Sequence, residues 1–329
     1  VIPRGGCRQL RRSCYHVQTR EADYLVDCGI AQGQSAVDYP DFQGIDERSI
    51  DAVFLTHAHI DHTGALPIVE HQDLLAEAAP VIATRPTGAL AHVLLHDSLK
   101  IHQDEACEMG QDQEFTRDDV HDVLGRMETL QYAAGEVSDY VSVDDEALRF
   151  KFGNAGHLLG SAWLALETGG RRIVFSGDLG GRSAHLPDIE GPPSADTLVL
   201  ESTYGDRPQH TGFNKARQSL IGHIQDAVNR GIPVLIPTFA VGRAQEILQT
   251  LRDYRQELPD DFESEVSVIY DGMAQDATDR YHAFATGEYV SESVMNYKMN
   301  SGDAEPFLPK SAYRPTEPDE RPQFLDGEG

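Results

Sequence analysis

The sequence has few lysines, no long apolar run and no closely spaced pair of cysteines. Only five of its 27 basic residues are lysine. No run of about 18 apolar residues occurs, so a membrane-spanning helix is not expected. The first residues lack the apolar core of a signal peptide, and the four cysteines form no C-x-x-C pair. These absences predict a cytoplasmic protein with reduced thiols, and they argue against a disulfide framework.

Acidic residues outnumber basic residues, 54 against 27, and the formal net charge is −27. The acids are spread along the chain instead of forming one tail. Dense carboxylate with little lysine is typical of adaptation to a high-salt, halophilic cytoplasm. A strongly acidic protein is otherwise a poor candidate for nucleic-acid binding. At molar salt, however, the Debye length is about 3 Å, so local contacts decide binding instead of net charge.

The most informative stretch places three histidines and one aspartate within six positions. They are His57, His59, Asp61 and His62, directly after the apolar residues 52–56, which predict a buried strand. Imidazole and carboxylate together suit zinc, manganese or iron. On an extended backbone His57 and His59 face the same way, and Asp61 and His62, past the bend, can reach a second ion. The alternative is a histidine-rich surface turn.

Further acids and a histidine follow other apolar strands: Asp27, His157, Asp178 and Glu201, each near glycine or small residues. Taken singly, Asp27 and Asp178 could be ordinary turn residues. Because active sites in layered α/β folds gather at one edge of the sheets, we expect one shared site instead of several unrelated turns. There Asp178 could bridge two metal ions, and Asp27 could orient a metal ligand by a hydrogen bond.

From about residue 206 the pattern changes to alternating helices and strands, which predicts a parallel sheet. The predicted elements are a helix over 213–230, a strand over 233–237, a helix that opens within 238–246 and runs to about 256, a strand over 266–270 and a helix from 274. Nearer the N-terminus, residues 81–84 predict a short strand, and Pro86 begins a long predicted helical region over about 87–140. Arg243 lies near a helix N-terminus and could contact a phosphate, with an ion pair to Glu246 as the alternative. Residues 301–329 are rich in proline and acids, so we expect a disordered tail.

The metal-type residues and their spacing resemble those of the metallo-β-lactamase superfamily. The matching positions are His57, His59, Asp61, His62, His157 and Asp178, with Asp27 at the first acidic position. Residues 201–205 and 239–246 are similar to the start of the β-CASP insertion of ribonuclease J and of the nuclease subunit of the cleavage and polyadenylation machinery. The acidic composition suggests a haloarchaeal member. The resemblance implies an α/β (α+β) chain, with an αββα sandwich over residues 1–206 and a partial β-CASP domain over 207–300.

The resemblance also implies a zinc-dependent RNA phosphodiesterase that acts through a metal-activated hydroxide. Two zinc ions are expected, the first on His57, His59 and His157, the second on Asp61 and His62, with Asp178 as the bridge. Asp61 would also orient the water, and Glu201 would handle a proton. RNA is the expected partner, no membrane is expected, and the oligomeric state, including a homodimer, stays open.

Members of the subfamily carry two further histidine motifs after the insertion, and this sequence ends before them. It also begins without an initiator methionine. We therefore expect a truncated homologue or a fragment, without the ligand that the later of these motifs supplies to the second zinc ion. Two other functions stay open. One is a catalytically inactive RNA-binding or assembly subunit, and the other is a thioesterase- or glyoxalase-like metallohydrolase.

Overall fold

The computed structural model describes residues 1–32, 37–110, 112–132, 141–143, 148–207, 209–258, 262, 266–317 and 320–321. The chain separates into two compact units. The first contains residues 1–181 and 189–203, and the second contains residues 182–188 and the chain from 204 onward. Within the described residues, no helix combines the length and the apolar character needed to cross a membrane.

The first unit holds thirteen strands and four helices among its described residues. The strands are β1 Ile2–Gly5, β2 Cys14–Gln18, β3 Asp23–Cys28, β4 Ala31–Gln32, β5 Val37–Asp38, β6 Ile50–Phe54, β7 Val81–Thr84, β8 Met127–Leu130, β9 Val141–Val143, β10 Leu148–Asn154, β11 Ala162–Thr168, β12 Arg171–Phe175 and β13 Thr197–Val199. The helices are α1 Ile60–Thr63, α2 Leu66–His71, α3 Arg85–Met109 and α4 Arg117–Gly125.

Two sheets form the centre of this unit. The first has six strands in the order β1-β2-β3-β6-β7-β8, antiparallel from β1 to β3 and parallel from β3 to β8. The second has five strands in the order β13-β12-β11-β10-β9, antiparallel except for the β12–β13 pair. β4 and β5 form a separate two-stranded ribbon.

A buried apolar layer joins the two sheets face to face. It includes Tyr24 and Phe54 from the first sheet and Phe150 and Leu164 from the second. The Phe54 and Phe150 rings meet edge to face with centroids 4.9 Å apart. The parallel strand β6 is buried because α2, α3 and α4 pack on the opposite face of the first sheet, which accounts for its nearly continuous apolar run.

This arrangement confirms the predicted α/β fold class with two stacked sheets. Among the described residues, α2, α3 and α4 form the helical layer on the first sheet. β7 has the bounds that the sequence predicted. The long helical region predicted after Pro86 is wrong at its far end, where β8 pairs in parallel with β7. A four-residue strand whose two central residues, Glu128 and Thr129, are both polar carries too little apolar signal to be separated from a polar helix face.

The second unit contains four helices and a small parallel ribbon among its described residues. The helices are α5 Phe213–Asn229, α6 Arg243–Asp253, α7 Met273–Ala283 and α8 Glu292–Ser301, and the strands are β14 Val268–Ile269 and β15 Ala312–Tyr313. Ile221 and Ile224 of α5 pack with Leu251 of α6 in its core. The predicted strand over 233–237 is wrong, because no strand of the described residues pairs with this segment and Leu235 is 83% exposed.

The segment after residue 301 differs from the disordered tail that we predicted. Phe307 is fully buried against Tyr281 and His282, and β15 pairs with β14 in parallel. One buried aromatic side chain can anchor a short polar segment, which composition averaged over the segment does not reveal. Residues 318–319 and 322–329 of the predicted tail lie outside the described residues.

Candidate metal centre

The turn after β6 and the loop after β10 bring three imidazoles to one point. His57 Nε2 and His157 Nε2 each lie 3.2 Å from His59 Nδ1. Among the described residues, two groups of three could hold a metal ion: His57 with His59 and His157, and His57 with His62 and Asp178. Nitrogens at 2.0–2.1 Å from a tetrahedral ion lie roughly 3.3–3.4 Å from one another, so the observed 3.2 Å spacings fit such an ion.

Asp178 lies between the two groups. Its Oδ2 is 4.0 Å from His57 Nε2 and 3.8 Å from His157 Nε2, while its Oδ1 is 3.4 Å from His62 Nε2. One carboxylate oxygen therefore faces the three-histidine group and the other faces His62. This is the arrangement that a bridging carboxylate needs.

Two loops of the second sheet bring His157 and Asp178 to this point. The hydroxyl of Ser161 accepts hydrogen bonds from the backbone N–H groups of His157 and Leu158, at 2.9 and 3.1 Å. Gly180, two residues after Asp178, passes so close to the His157 loop that a Cβ there would lie 1.7 Å from a backbone oxygen. Only glycine permits this approach.

Asp27 reaches the centre from a β-bulge in β3. The residues on either side of it pair with two consecutive residues of β2, so Asp27 is the extra residue, and its φ is 56°. Its side chain is buried beside His62 and Thr56. Asp27 Oδ2 lies 2.7 Å from His62 Nδ1, and Oδ1 accepts from the Thr56 backbone N–H at 2.8 Å. Asp27 thus forms a hydrogen bond with the candidate ligand His62, and its role in orienting that ligand stays a prediction.

Asp61 belongs to neither group of three. It is partly buried at the start of α1, and its negative charge acts on His59. Its backbone oxygen accepts a hydrogen bond from Ser13 N at 2.8 Å, which ties the turn to β2. The structure therefore groups five of the six expected ligands and leaves Asp61 beside them.

Glu201 and Arg243 occupy different surroundings. Glu201 Oε1 accepts from Leu179 N at 3.4 Å and Oε2 from Thr203 N at 2.8 Å, so its carboxylate is tied to the residue after Asp178. Arg243 begins α6, is exposed, and pairs with Glu246 at 2.7 Å. That ion pair was the alternative to a phosphate contact.

Burial keeps two of the imidazoles neutral. It lowers the pKa of His57 well below the usual value, and the charges of His62, His59 and His157 add to this effect. Burial and the charge of His157 lower the pKa of His59 to about 4. Neutral imidazole is the form that binds metal ions.

His62 and Asp178 are held in their charged forms. Burial alone would lower the pKa of His62, but the carboxylates of Asp27 and Asp178 raise it well above the usual value. Burial would likewise raise the pKa of Asp178, but the hydrogen bond and charge of His62, with smaller contributions from His157 and His59, lower it to about 2. Asp178 therefore carries a negative charge beside the position that a cation would occupy.

Sequence reasoning missed two residues of this site, Thr56 and Ser161. The Thr56 hydroxyl lies 2.9 and 3.0 Å from the two oxygens of Asp27 and 3.2 Å from His57 Nδ1. A threonine directly before the first histidine at a strand end was the available signal. Ser161 carried only the weaker signal of a small residue in a glycine-flanked loop.

A sequence model of the Metallo-beta-lactamase superfamily matches residues 8–238. The chain belongs to the metallo-β-lactamase superfamily. This confirms the family resemblance, and together with the donor set it implies binding of a divalent metal.

Several relatives of this superfamily member have names that refer to RNA or transcription. Ribonuclease TTHA0252 of Thermus thermophilus is 38% identical over 79% of this chain and 56% of its own length. Transcription termination factor FttA of Methanothermobacter thermautotrophicus is 34% identical over 98% of this chain and 49% of its own length. An RNase J-like protein of Methanocaldococcus jannaschii is 32% identical over 76% of this chain and 53% of its own length. The chain thus spans about half the length of the curated relatives it matches.

A solved structure shares the fold. A protein of unknown function from Enterococcus faecalis aligns with 84% of this chain and 66% of its own length, at a TM-score of 0.50 and 15% identity. At this identity the likeness supports the fold alone.

Proposed function

We propose that this chain is a zinc-dependent RNA phosphodiesterase of the β-CASP type. The observation that carries the proposal is the convergence of the His57, His59 and His157 nitrogens with Asp178. The ribonuclease-named relatives supply the substrate class. RNA is then the partner, and a homodimer and a cytoplasmic location stay predictions of the sequence.

In this proposal, each group of residues has its own role in metal binding or in the reaction. His57, His59 and His157 hold one zinc ion, and Asp178 with His62 offers ligands to a second. A bound divalent ion lowers the pKa of water and neutralises charge on phosphoryl oxygens. Asp61 lies close to His59 and belongs to neither group of candidate ligands, so its carboxylate is available to orient the attacking water.

Two further residues support the reaction. Glu201 holds the loop after Asp178 through Leu179 N and handles a proton of the leaving group. The exposed guanidinium of Arg243 leaves its ion pair with Glu246 and binds a backbone phosphate of the RNA instead. An exposed ion pair contributes at most about 1 kcal/mol, so this exchange costs little.

The test combines zinc analysis with RNA cleavage. Wild-type chain, purified with zinc, is analysed by plasma emission and assayed on RNA labelled at either end. We expect close to two zinc ions per chain, with cleavage that a chelator abolishes. His59→Ala should remove cleavage and lower the zinc content without unfolding the chain.

The matched control is His121→Ala, since the His121 side chain is 87% exposed on α4. It should keep wild-type zinc content and cleavage. If His59→Ala retains full cleavage, the ligand assignment is wrong. If wild-type chain loaded with zinc leaves RNA intact and hydrolyses a small thioester instead, the RNA phosphodiesterase proposal is wrong and the thioesterase alternative takes its place.

A catalytically inactive RNA-binding subunit is the second candidate. The observation that favours it is the position of Asp61, which joins neither group of three. A folded chain that binds RNA, holds no more than one zinc ion and does not cleave would support this reading.

A further inference from the structure

We propose that Thr56 is a positioning residue of the metal centre, because its hydroxyl fixes the tautomer of His57. The inference rests on the proposed metal centre and not on the identity of the substrate. It assigns a role to a buried residue that belongs to neither group of candidate ligands.

The Thr56 hydroxyl lies at the meeting point of three side chains. Its oxygen is 2.9 Å from Asp27 Oδ2, 3.2 Å from His57 Nδ1 and 3.5 Å from His62 Nδ1. Thr56 is 1% exposed, His57 is fully buried and Asp27 is 1% exposed. Solvent therefore does not compete for these hydrogen bonds.

The available protons determine the direction of each bond. A hydroxyl has one proton, and a carboxylate can only accept, so the Thr56 hydroxyl donates to Asp27. The hydroxyl oxygen can then only accept from His57, which requires the proton of that imidazole to be on Nδ1. His62 Nδ1, at 2.7 Å from Asp27, donates directly to the carboxylate instead.

The consequence appears at the opposite nitrogen of each ring. With its proton on Nδ1, His57 presents the lone pair of Nε2 toward His59 Nδ1 and Asp178, where a cation would lie. Asp27 thereby orders two imidazoles, His62 directly and His57 through the Thr56 hydroxyl. Groups that orient metal ligands in this way typically contribute 10–100-fold to metal affinity.

The experiment measures the Zn²⁺ affinity of the 329-residue chain by competition with a chromogenic chelator, without RNA. Thr56→Val preserves the shape of the side chain, and the backbone N–H at this position can still donate to Asp27. We expect Thr56→Val to weaken Zn²⁺ binding about 10–100-fold. Thr56→Ser keeps the hydroxyl and should restore Zn²⁺ binding to near the wild-type affinity, well short of the 10–100-fold loss expected for Thr56→Val.

The matched control is Thr63→Val. Thr63 is also fully buried in the same turn, but its hydroxyl donates to the backbone oxygens of Ala58 and His59 and, among the described residues, forms no hydrogen bond with an imidazole. It should lose stability without a comparable loss of Zn²⁺ affinity. Thermal unfolding of the metal-free variants separates loss of fold from loss of ligand positioning.

A second readout does not depend on any Thr56 variant folding. Long-range ¹H–¹⁵N spectra of the metal-free wild type, with the His57 ring assigned by its absence in His57→Gln, should show the proton on Nδ1. A proton on Nε2, or wild-type Zn²⁺ affinity in folded Thr56→Val, would overturn the inference. Zinc binding without RNA cleavage would contradict the proposed function and leave this role of Thr56 intact.

Discussion

Asp27 combines an unusual backbone conformation with a central position in the site. Its φ of 56° lies in the left-handed region, which non-glycine residues rarely adopt and which costs of order 1–3 kcal/mol. The bulge turns the carboxylate toward Thr56 and His62, and three hydrogen bonds to a charged acceptor can offset that cost. The strain is thus part of how the centre is assembled.

Replacing Asp27 by asparagine isolates the charge, since asparagine tolerates the same backbone conformation. We expect Asp27→Asn to lower the free energy of unfolding by about 1–3 kcal/mol, because buried donors lose a charged acceptor. Zn²⁺ affinity should fall about 10–100-fold. Urea unfolding followed by fluorescence of Trp163, the one tryptophan of the chain, measures the first effect.

Asp73 provides the control for this substitution. It also has a positive φ, 53°, but its side chain is 52% exposed and pairs with the exposed Arg48. Asp73→Asn should change the free energy of unfolding by no more than about 0.5 kcal/mol. Equal losses in the two variants would attribute the effect of Asp27 to its backbone and not to its carboxylate.

His185, in the second unit, predicts an acid sensitivity. Burial among Tyr281 and Phe307, with the charges of Arg217 and Arg243, lowers its pKa to about 3. The unfolded chain takes up this proton near pH 6.5 and the folded chain does not, so stability is full above that pH and falls as the solution is acidified. Lowering the pH from about 7 to about 5 should cost about 2 kcal/mol from this residue.

Urea unfolding of His185→Phe, followed by far-ultraviolet circular dichroism at both pH values, measures that contribution. The variant should lose about 2 kcal/mol less than wild type on acidification. His121→Phe, at an exposed position of α4, should retain the wild-type pH dependence. An unchanged pH dependence in His185→Phe would show that this histidine is not the group responsible.

Among the elements, the contact between the end of β3 and the metal-site turn sets the geometry of the centre. Gly29 follows β3, and Ile30 N donates to the backbone oxygen of Ile60 at 3.1 Å. A Cβ at Gly29 would lie 1.6 Å from the backbone oxygen of Asp61. The turn that carries His57 to His62 is therefore fixed against the first sheet by backbone contact.

We expect Gly29→Ala to destabilise the first unit by at least about 3 kcal/mol, since the clash involves backbone that cannot rotate away. Trp163 fluorescence during urea unfolding reports on this unit. Gly125→Ala lies at the end of α4, where the added Cβ would meet no described atom within 4 Å apart from its chain neighbours and the backbone of its own helix, so stability should change by less than about 1 kcal/mol. Similar stability of the two variants would contradict the close approach.

At the scale of the whole molecule, the net charge of −27 opposes compaction. The Debye length falls from about 8 Å at 0.15 M salt to about 3 Å at 1 M, so salt screens this self-repulsion. We therefore expect the melting temperature to rise by several degrees between about 0.15 M and about 1 M KCl. A melting temperature that falls over this range, measured by circular dichroism, would contradict both the repulsion and the halophilic prediction.

The sequence alone was enough to predict that the histidines of the metal centre and Asp178 converge on one site, and to predict the family of the chain. His57, His59 and His62 follow one strand, and His157 and Asp178 follow others, so strand periodicity and the sheet edge predict their convergence. The same local reasoning predicted β7 and α5 closely, because each signal lies within a few neighbouring residues.

Only the tertiary structure decided the bulge at Asp27, the hydroxyl of Thr56 between Asp27 and His57, and the place of Asp61 outside both ligand groups. It also decided that Phe307 is buried and that, within the part of the chain that is described, no strand pairs with residues 233–237. These features depend on contacts between residues far apart in the chain, and local propensity carries no information about such contacts.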